Sequence, residues 1–526
     1  MLRLLTVLIF LLPVVARAQA ELSAPKLILY IVVDELNHEQ LQHIQSKLSR
    51  EGINRLSGQG MRFMAAYSSD LSAYPGTRLT SFYTGTTPSV HGLIGEQWFD
   101  KKLNKYVEAA TNQPEGLELT LNYNQARSIS DYLKSFYGPA AKSAAIGMNS
   151  SWLWHTLGYS PDNLFQFKIE SGIFYDMVNT QEPEWLTRFN DNLQRSDLLG
   201  RQWGPINDIS SYSEFQYLAP GRDKEFRSFL YNMKSDEGKA FERFSRSPYA
   251  NTLIRDLAVS LLASSDFGKD NAPDVLTLGF TARPFVSNGS ILAVEKEDML
   301  IRLDRDISSL INFIDSEIGR DNYLVIFTSA AESSLDLSSA GKKGLTTGVV
   351  EYNKTAALLN LYIMATHGQG KWVLGMHDNS VYLNHQLIKE KGFSLKEMQE
   401  HAASFLLEVA GIERAIPTHD LIFQPETETL LAKNLYPTRS GDILLSLQSG
   451  WQSAASKAGT RQTANSGNVP VPLIIRGWQV VPGAWLEPLE HHYITPLILK
   501  EMGIVHTSIL KAPRVSLFKT ITTEKQ

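Results

Sequence analysis

The chain has 526 residues, of which 43% are hydrophobic and 20% are charged. This length allows one large α/β domain with insertions or two smaller domains, and either could bury a sizeable core. The formal net charge of -5 argues against proteins that bind nucleic acid or anionic membranes through bulk charge.

The N-terminus has the pattern of a signal peptide. Arg3 precedes an apolar run over residues 4–16, and small residues follow at Ala16, Ala18 and Ala20. We expect residues 1–20 to be the leader, cleaved after Ala18 or Ala20, and residues 21–526 to form the mature domain. The alternative is an uncleaved anchor, although the run is shorter than the ~20 apolar residues that span a bilayer. No later segment is long enough to span.

The absence of cysteine adds to this interpretation. Without cysteine there can be no disulfides and no lipid attachment at a lipoprotein cleavage site. We therefore expect a protein of the periplasm or the secreted fraction that is stabilised by packing alone.

Five short apolar runs predict buried strands of a parallel or mostly parallel sheet, and therefore an α/β fold. They are KLILYIVVDEL at 26–36, AAKSAAIGM at 140–148, DVLTLGF at 274–280, NYLVIFTSA at 322–330 and VPLIIRG at 471–477. The segment 296–319 carries apolar residues at helical spacing and ends at Gly319, which predicts a long amphipathic helix over the sheet.

Between about 152 and 271 the alternation of strands and helices gives way to polar and aromatic sequence. We interpret this stretch as an inserted cap. Its aromatic residues would form a small core of the insert's own or, alternatively, a recognition surface.

Asp34 is the first candidate site residue because it ends the first predicted strand. In open α/β sheets the ligand crevice lies outside the carboxyl ends of the strands. The alternative is that Asp34 caps the helix that starts near Asn37.

Several segments, taken in order, resemble the alkaline phosphatase superfamily. They are Asp34, the stretch YPGTRLTSFYTGTTPSVHGLIGEQWFD, the helix RLDRDISSLINFID, the strand YLVIFTSA, and NLYPTRSGDILLSL followed by VPLIIRG. The chain is similar to the periplasmic zinc-dependent phosphate monoesterases, the PafA-like enzymes. The resemblance implies a central sheet sandwiched by helices, two zinc ions and a Thr or Ser nucleophile.

Carried over residue by residue, the resemblance implies that Asp34 matches a metal ligand of the family. The family residues that act on phosphate are replaced in this chain. The nucleophile position falls on Pro75, which has no hydroxyl. The phosphate-binding Asn falls on Glu96, whose charge would repel phosphate, and the Lys and Arg positions fall on Asn149 and Ser151.

The other five metal-ligand positions of the resemblance fall on residues that do not bind zinc: Pro284, Asn288, Ala330, Ala331 and Pro470. One carboxylate cannot hold zinc, which needs three or four ligands in tight geometry. We therefore expect no metal or other cofactor and a degenerate pocket without catalytic residues.

Other residue types offer partial substitutes without a recognisable triad. Thr77 and Thr80 carry hydroxyl groups near the position of the family nucleophile. Glu96 could act as an acid or a base, and His155 lies beyond the third strand. We interpret His419, His491 and His492 as surface or structural histidines. The resemblance makes His91 structural, with a role in orienting the turn after the nucleophile helix.

Two main classes of function follow. The first is an exported, catalytically inactive relative of the phosphatases that binds a protein partner in the cell envelope, with no role for nucleic acid. The second is a zinc-dependent phosphate monoester or diester hydrolase with a divergent site. A new enzyme on the same scaffold is a third reading.

Overall fold

The computed structural model describes most of the chain. The described residues are 24–101, 103–110, 123–148, 150–213, 229–234, 241–286, 294–330, 346–423, 429–454, 461–462 and 469–519. The expected signal peptide lies outside these residues. Within them, no helix combines the length and the apolar character that crossing a membrane requires.

A nine-stranded sheet forms the centre of the fold. Its strands are β1 (Leu27–Asp34), β2 (Met61–Phe63), β3 (Ser143–Gly147), β4 (Asn163–Lys168), β5 (Ile173–Asp176), β6 (Asp274–Thr281), β7 (Tyr323–Ser329), β8 (Leu473–Gly477) and β9 (Gly483–Trp485). Their order across the sheet is β9-β2-β8-β7-β1-β6-β3-β4-β5. All five predicted strands are confirmed.

The five strands β7, β1, β6, β3 and β4 are parallel, whereas β8 and β5 pair antiparallel at either side. Strand β1 lies in the middle, and its seven residues from Leu27 to Val33 have no exposed surface. A strand covered on both faces requires a continuous apolar run, which is why this segment shows no alternation. The predicted fold class, a mostly parallel sheet sandwiched by helices, is confirmed.

The two faces of β1 pack against different helices. Leu29 and Ile31 belong to the core that includes the helices Pro248–Ser264 and Val294–Glu317. Tyr30 and Val32 belong to the opposite core, with the helices Pro75–Thr84 and Ile494–Glu501. Tyr30 stacks on Tyr83 of the first of these helices, with ring centroids 4.3 Å apart.

The helix Val294–Glu317 confirms the predicted amphipathic helix. The predicted apolar face is buried throughout: Met299, Leu300, Leu303, Ile307, Leu310, Ile311 and Ile314. Gly319 follows the helix with a φ of 92° and donates its N–H to the carbonyl of Ile314. This left-handed conformation favours glycine and ends the helix.

The stretch expected to be a cap is partly built into the main domain. It supplies the last two strands at one side of the sheet, β4 and the edge strand β5, and the helix Pro248–Ser264. Phe165, Phe174 and Trp203 pack in the same core as β1 rather than in a core of their own. The expectation of a separate aromatic core is therefore wrong, because these rings cover the end of the central sheet.

A second, four-stranded sheet carries its own core. Its strands are Val373–His377, Ser380–Leu383, Ile412–Pro417 and Ile443–Leu447. The helices Tyr352–His367 and Leu395–Leu407 pack against it. This sheet was not predicted from the sequence.

Shorter elements complete the described chain. The helices are His38–Ile44, Ile53–Gln59, Pro88–His91, Ile129–Tyr137, Glu184–Asn192, Arg195–Gly200, Glu242–Ser245, His385–Glu390, Thr418–Phe423 and Thr429–Lys433. The strands are Ala66–Ser68, Gln97–Asp100, Lys105–Glu108, Gln202–Trp203, Tyr231–Asn232, Gly348–Glu351, Trp451–Ala454, Arg461–Gln462, Val469–Pro470 and Leu489–Glu490.

Candidate functional site

Asp34 lines a polar cavity of about 290 Å³ at the carboxyl ends of β1 and β6. This position is the one at which parallel α/β sheets bind ligands. Asp34 does not cap the following helix, because the N-cap of the helix His38–Ile44 is Asn37. The alternative role considered for Asp34 from the sequence is therefore wrong.

The chain surrounds Asp34 with its own charged groups. Glu35 follows it with a φ of 57°, an uncommon conformation for a residue with a side chain. Lys296 donates from Nζ to the carbonyl oxygen of Glu35 at 2.6 Å. Arg283 Nε lies 3.2 Å from Glu35 Oε1. Two cations of the protein therefore stand beside the acidic pair at the end of β1.

These surroundings shift the pKa values of the buried groups. Burial, and then the carboxylate of Glu35, raise the pKa of Asp34 to about 7, while Arg283 and Lys296 oppose the shift. Burial lowers the pKa of Lys296 to about 8, against the attraction of Glu35 and Asp34. Arg283 and Lys296 thus offset only part of the cost of charging Asp34.

The position of the family nucleophile lies at the start of the helix Pro75–Thr84. Pro75 is the first helical residue, where a missing N–H costs nothing and the fixed φ suits the helix. Thr77 is fully buried, and its hydroxyl has no hydrogen-bond partner among the described residues. Thr80 is also buried and donates to the carbonyl of Gly76 at 2.7 Å. None of the three lines the cavity at Asp34.

Tyr74 occupies the N-cap of the same helix and brings two sequence candidates together. Its hydroxyl lies 3.1 Å from His155 Nε2 and is hydrogen-bonded to the side chain of Ser151. Burial lowers the pKa of His155 to about 3, so the imidazole is neutral at neutral pH. Asn149 lies outside the described residues, while its neighbour Ser150 lines the cavity.

Glu96 is exposed and precedes the strand Gln97–Asp100. Its charge acts on the half-buried Asp378, whose pKa burial and then Glu96 raise to about 7. Asp378 accepts from the hydroxyl of Ser72 at 3.1 Å. The acid at position 96 is therefore associated with Asp378 rather than with Asp34.

The described residues at the metal-ligand positions do not bring metal-binding side chains to Asp34. Pro284 accepts a hydrogen bond on its carbonyl oxygen from Arg246 Nη2 at 3.2 Å. Ala330 is fully buried, and its N–H donates to the carbonyl of Val33. Pro470 belongs to the exposed edge of a short strand that pairs with Tyr67. Asn288 and Ala331 lie outside the described residues.

The residues around Asp34 do not fit a pair of zinc ions. Lys296 and Arg283 are donors that cannot ligate a metal while protonated, and Glu35 is engaged by Arg283. Across the described ranges, no group of three or more His, Asp or Glu side chains has the placement to hold a metal ion.

The other histidines considered from the sequence mostly serve the fold. His491 is buried between the carbonyl oxygens of Tyr67 and Arg78, 3.2 Å from each. His492 is also buried, and its Nδ1 lies 3.4 Å from Glu490 Oε2. The side chain of His419 is partly exposed beside Asp420. The first two are therefore internal rather than surface residues.

His91 has the geometry of a structural residue. Its Nδ1 accepts the N–H of Leu93 at 3.1 Å, and its Nε2 lies 2.9 Å from the hydroxyl of Ser81. Ser81 in turn donates to Asp70 at 2.6 Å. This buried chain of contacts fixes the turn after the short helix Pro88–His91, as the resemblance implied.

Sequence reasoning missed the basic side chains of the cavity. Arg246 follows the short helix Glu242–Ser245, inside the stretch interpreted as a cap, and it lines the cavity with Asp34. Arg283 lies two residues after β6 and also lines it. Arg283 could have been considered from the sequence, because it is a polar residue that closely follows a predicted buried strand. No sequence signal indicated Arg246.

Comparison with known proteins identifies the family of this chain. The pattern of the type I phosphodiesterase / nucleotide pyrophosphatase family matches residues 28–469. The chain therefore belongs to that family, within the alkaline phosphatase superfamily, and its fold and sequence support the PafA-like branch.

Two curated relatives are similar over most of their length. Alkaline phosphatase PafA of Elizabethkingia meningoseptica is 25% identical over 498 residues, covering 90% of this chain and 91% of the relative. Alkaline phosphatase PhoV of Synechococcus elongatus is 20% identical, covering 95% and 93%. The crystal structure of wild-type PafA superposes with a TM-score of 0.77 at 22% identity, covering 91% of this chain and 96% of that one. The structural similarity to PafA shows that the two proteins share a fold.

Proposed function

We propose that this chain is an exported, catalytically inactive member of its family that acts as a binding or scaffold component of the cell envelope. The observation that carries the proposal is the surroundings of Asp34. Lys296 and Arg283 stand beside the acidic pair where a two-metal site would need further ligands. These positions hold basic side chains, which cannot ligate a metal while protonated.

The positions of a phosphoryl-transfer mechanism also lack their reactive groups. Two-metal catalysis requires cations that neutralise the attacking and leaving oxygens, together with an activated nucleophile. Pro75 has no hydroxyl, and the nearby Thr77 hydroxyl is buried away from the cavity. These features support binding rather than turnover.

The proposed location is the periplasm or the secreted fraction, with a protein partner in the envelope. The N-terminal pattern of Arg3, an apolar run and small residues supports export. Cell fractionation and N-terminal sequencing of the mature protein test this part directly. Processing after Ala18 or Ala20 is expected, and an intact N-terminus in the cytoplasm would contradict it.

The second candidate is a zinc-dependent hydrolase of phosphate monoesters or diesters with a divergent site. The observation in its favour is that both curated relatives are named alkaline phosphatases. It would need a nucleophile and metal ligands other than those at the matched positions.

Turnover of p-nitrophenyl phosphate and bis-p-nitrophenyl phosphate separates the two candidates. We expect no hydrolysis above the buffer rate with or without added zinc, and no difference between the wild type and Asp34→Ala. Zinc-dependent hydrolysis of either ester that Asp34→Ala abolishes would establish the hydrolase instead.

A further inference from the structure

The cavity at Asp34 contains a buried donor that is suited to an anionic group. Arg246 lines it and uses Nη2 to hold the carbonyl of Pro284. Its Nε atom is buried and has no hydrogen-bond partner among the described residues. A buried donor without a partner is costly, and an acceptor on a ligand would remove that cost.

A second guanidinium group lies on the same cavity. Arg283 lines it. Burial, and then the charge of Arg283, lower the pKa of Arg246, while Glu35 and Glu242 oppose the shift. Two like charges near one cavity repel each other, and an anion between them relieves that repulsion. Arginine also matches the planar, two-oxygen geometry of a carboxylate.

Acidic groups face the same space. Asp34 and Glu242 line the cavity with the two arginines, so its charged side chains number two of each sign when Asp34 is ionised. A phosphate dianion would meet carboxylates as well as guanidinium groups. A molecule with one positive and one negative group satisfies both.

The remaining lining mixes apolar side chains with the small hydroxyl residues Ser150, Ser245 and Thr281. Met148, Ile169 and Phe280 contribute to the walls, and the volume of about 290 Å³ is at the lower end of ligand pockets, which start near ~300 Å³. The apolar part of the wall could contact a short aliphatic side chain.

We infer that the cavity binds an aliphatic α-amino acid, with its carboxylate against Arg246 and Arg283 and its ammonium group facing Asp34. The inference rests on the proposed non-catalytic function and names the ligand class of the same site. The ligand is bound and released unchanged.

Isothermal titration of the full mature chain with L-leucine tests the inference. Two analogues each lack one charge: 4-methylpentanoate has no ammonium group, and 3-methylbutylamine has no carboxylate. We expect leucine to bind at least about tenfold more tightly than either analogue or inorganic phosphate, the factor that corresponds to one lost charged contact.

Two matched variants locate the site. Arg246→Gln removes the guanidinium that lines the cavity, and we expect at least a tenfold loss of leucine affinity. Arg243→Gln changes an arginine that lies on the short helix just before Arg246 and does not line the cavity, and we expect affinity within twofold of the wild type. If Arg246→Gln does not fold, as judged by circular dichroism, the analogue series on the wild type decides alone.

Absence of leucine binding at millimolar concentration, or tighter binding of phosphate than of leucine, would overturn the inference. Either result without ester hydrolysis leaves the proposed non-catalytic function standing. Zinc-dependent hydrolysis would instead overturn the proposed function itself, so the two failures are distinguishable.

Discussion

The ammonium group of Lys296 lies 2.6 Å from the carbonyl oxygen of Glu35, directly beside Asp34 at the end of the central strand. Lys296 is almost fully buried, on the first turn of the helix Val294–Glu317. A cation built into the core at this point offsets part of the negative charge of the acidic pair.

Removing this cation should destabilise the fold. Lys296→Met leaves the acids at 34 and 35 with less compensation, and we expect a loss of about 3 kcal/mol in the free energy of unfolding at pH 7. Urea denaturation followed by circular dichroism measures it. Adding Asp34→Asn should restore part of the loss, because the uncompensated charge is gone.

The control is Lys354→Met, which removes an exposed lysine whose side chain is 73% accessible. We expect a change below about 0.5 kcal/mol. Equal losses for the two variants, or no recovery in the double variant, would contradict the role assigned to Lys296.

The hydroxyl groups of Thr77 and Thr80 should differ in their contribution to stability. Thr77→Val replaces a buried hydroxyl that has no partner among the described residues, and we expect the free energy of unfolding to stay level or to rise by up to about 1 kcal/mol. Thr80→Val removes a hydrogen bond to Gly76 and should cost about 1 kcal/mol.

Both threonines are fully buried on one helix, so each variant controls for the other. Thermal unfolding of the pair provides the comparison. A large loss for Thr77→Val, with little effect of Thr80→Val, would show that the hydroxyl at position 77 has a partner that matters.

Acidification should destabilise the protein through His155. Its pKa is about 3 in the folded state against 6.5 as the ordinary value, so the unfolded chain binds the proton first as the pH falls. The stabilisation is present above pH 6.5 and is lost towards pH 3. Between pH 7 and pH 5 we expect a decrease of about 2 kcal/mol from this group.

His155→Gln keeps a polar partner near Tyr74 but cannot be protonated, so the unfolding free energy of this variant should depend less on pH. His43→Gln is the control, since the side chain of His43 is 63% accessible. An unchanged pH dependence in His155→Gln would show that other groups determine acid sensitivity.

The sequence predicted the centre of the fold because its signals are local. Continuous apolar runs such as Leu27–Val33 indicate strands buried on both faces, and helical spacing followed by Gly319 indicates the covering helix. The cavity could be predicted only in part. Asp34 ends a recognisable strand, but Arg246 reaches it from about 210 residues further along the chain, and such a juxtaposition depends on tertiary packing.

The aromatic stretch illustrates the same limit. Trp203 donates its indole N–H to the buried Asp298 at 2.7 Å, which ties it to the helix Val294–Glu317. Aromatic composition alone could not tell a separate core from the edge of the main one. Only the partners of each ring decide this.

Zinc binding by the metal-stripped mature protein tests the central claim most directly. Titration calorimetry, checked by elemental analysis after gel filtration, should give less than one tightly bound zinc ion per chain, and Asp34→Ala should not change the result. Two zinc ions per chain, with affinity lost in Asp34→Ala, would contradict the account.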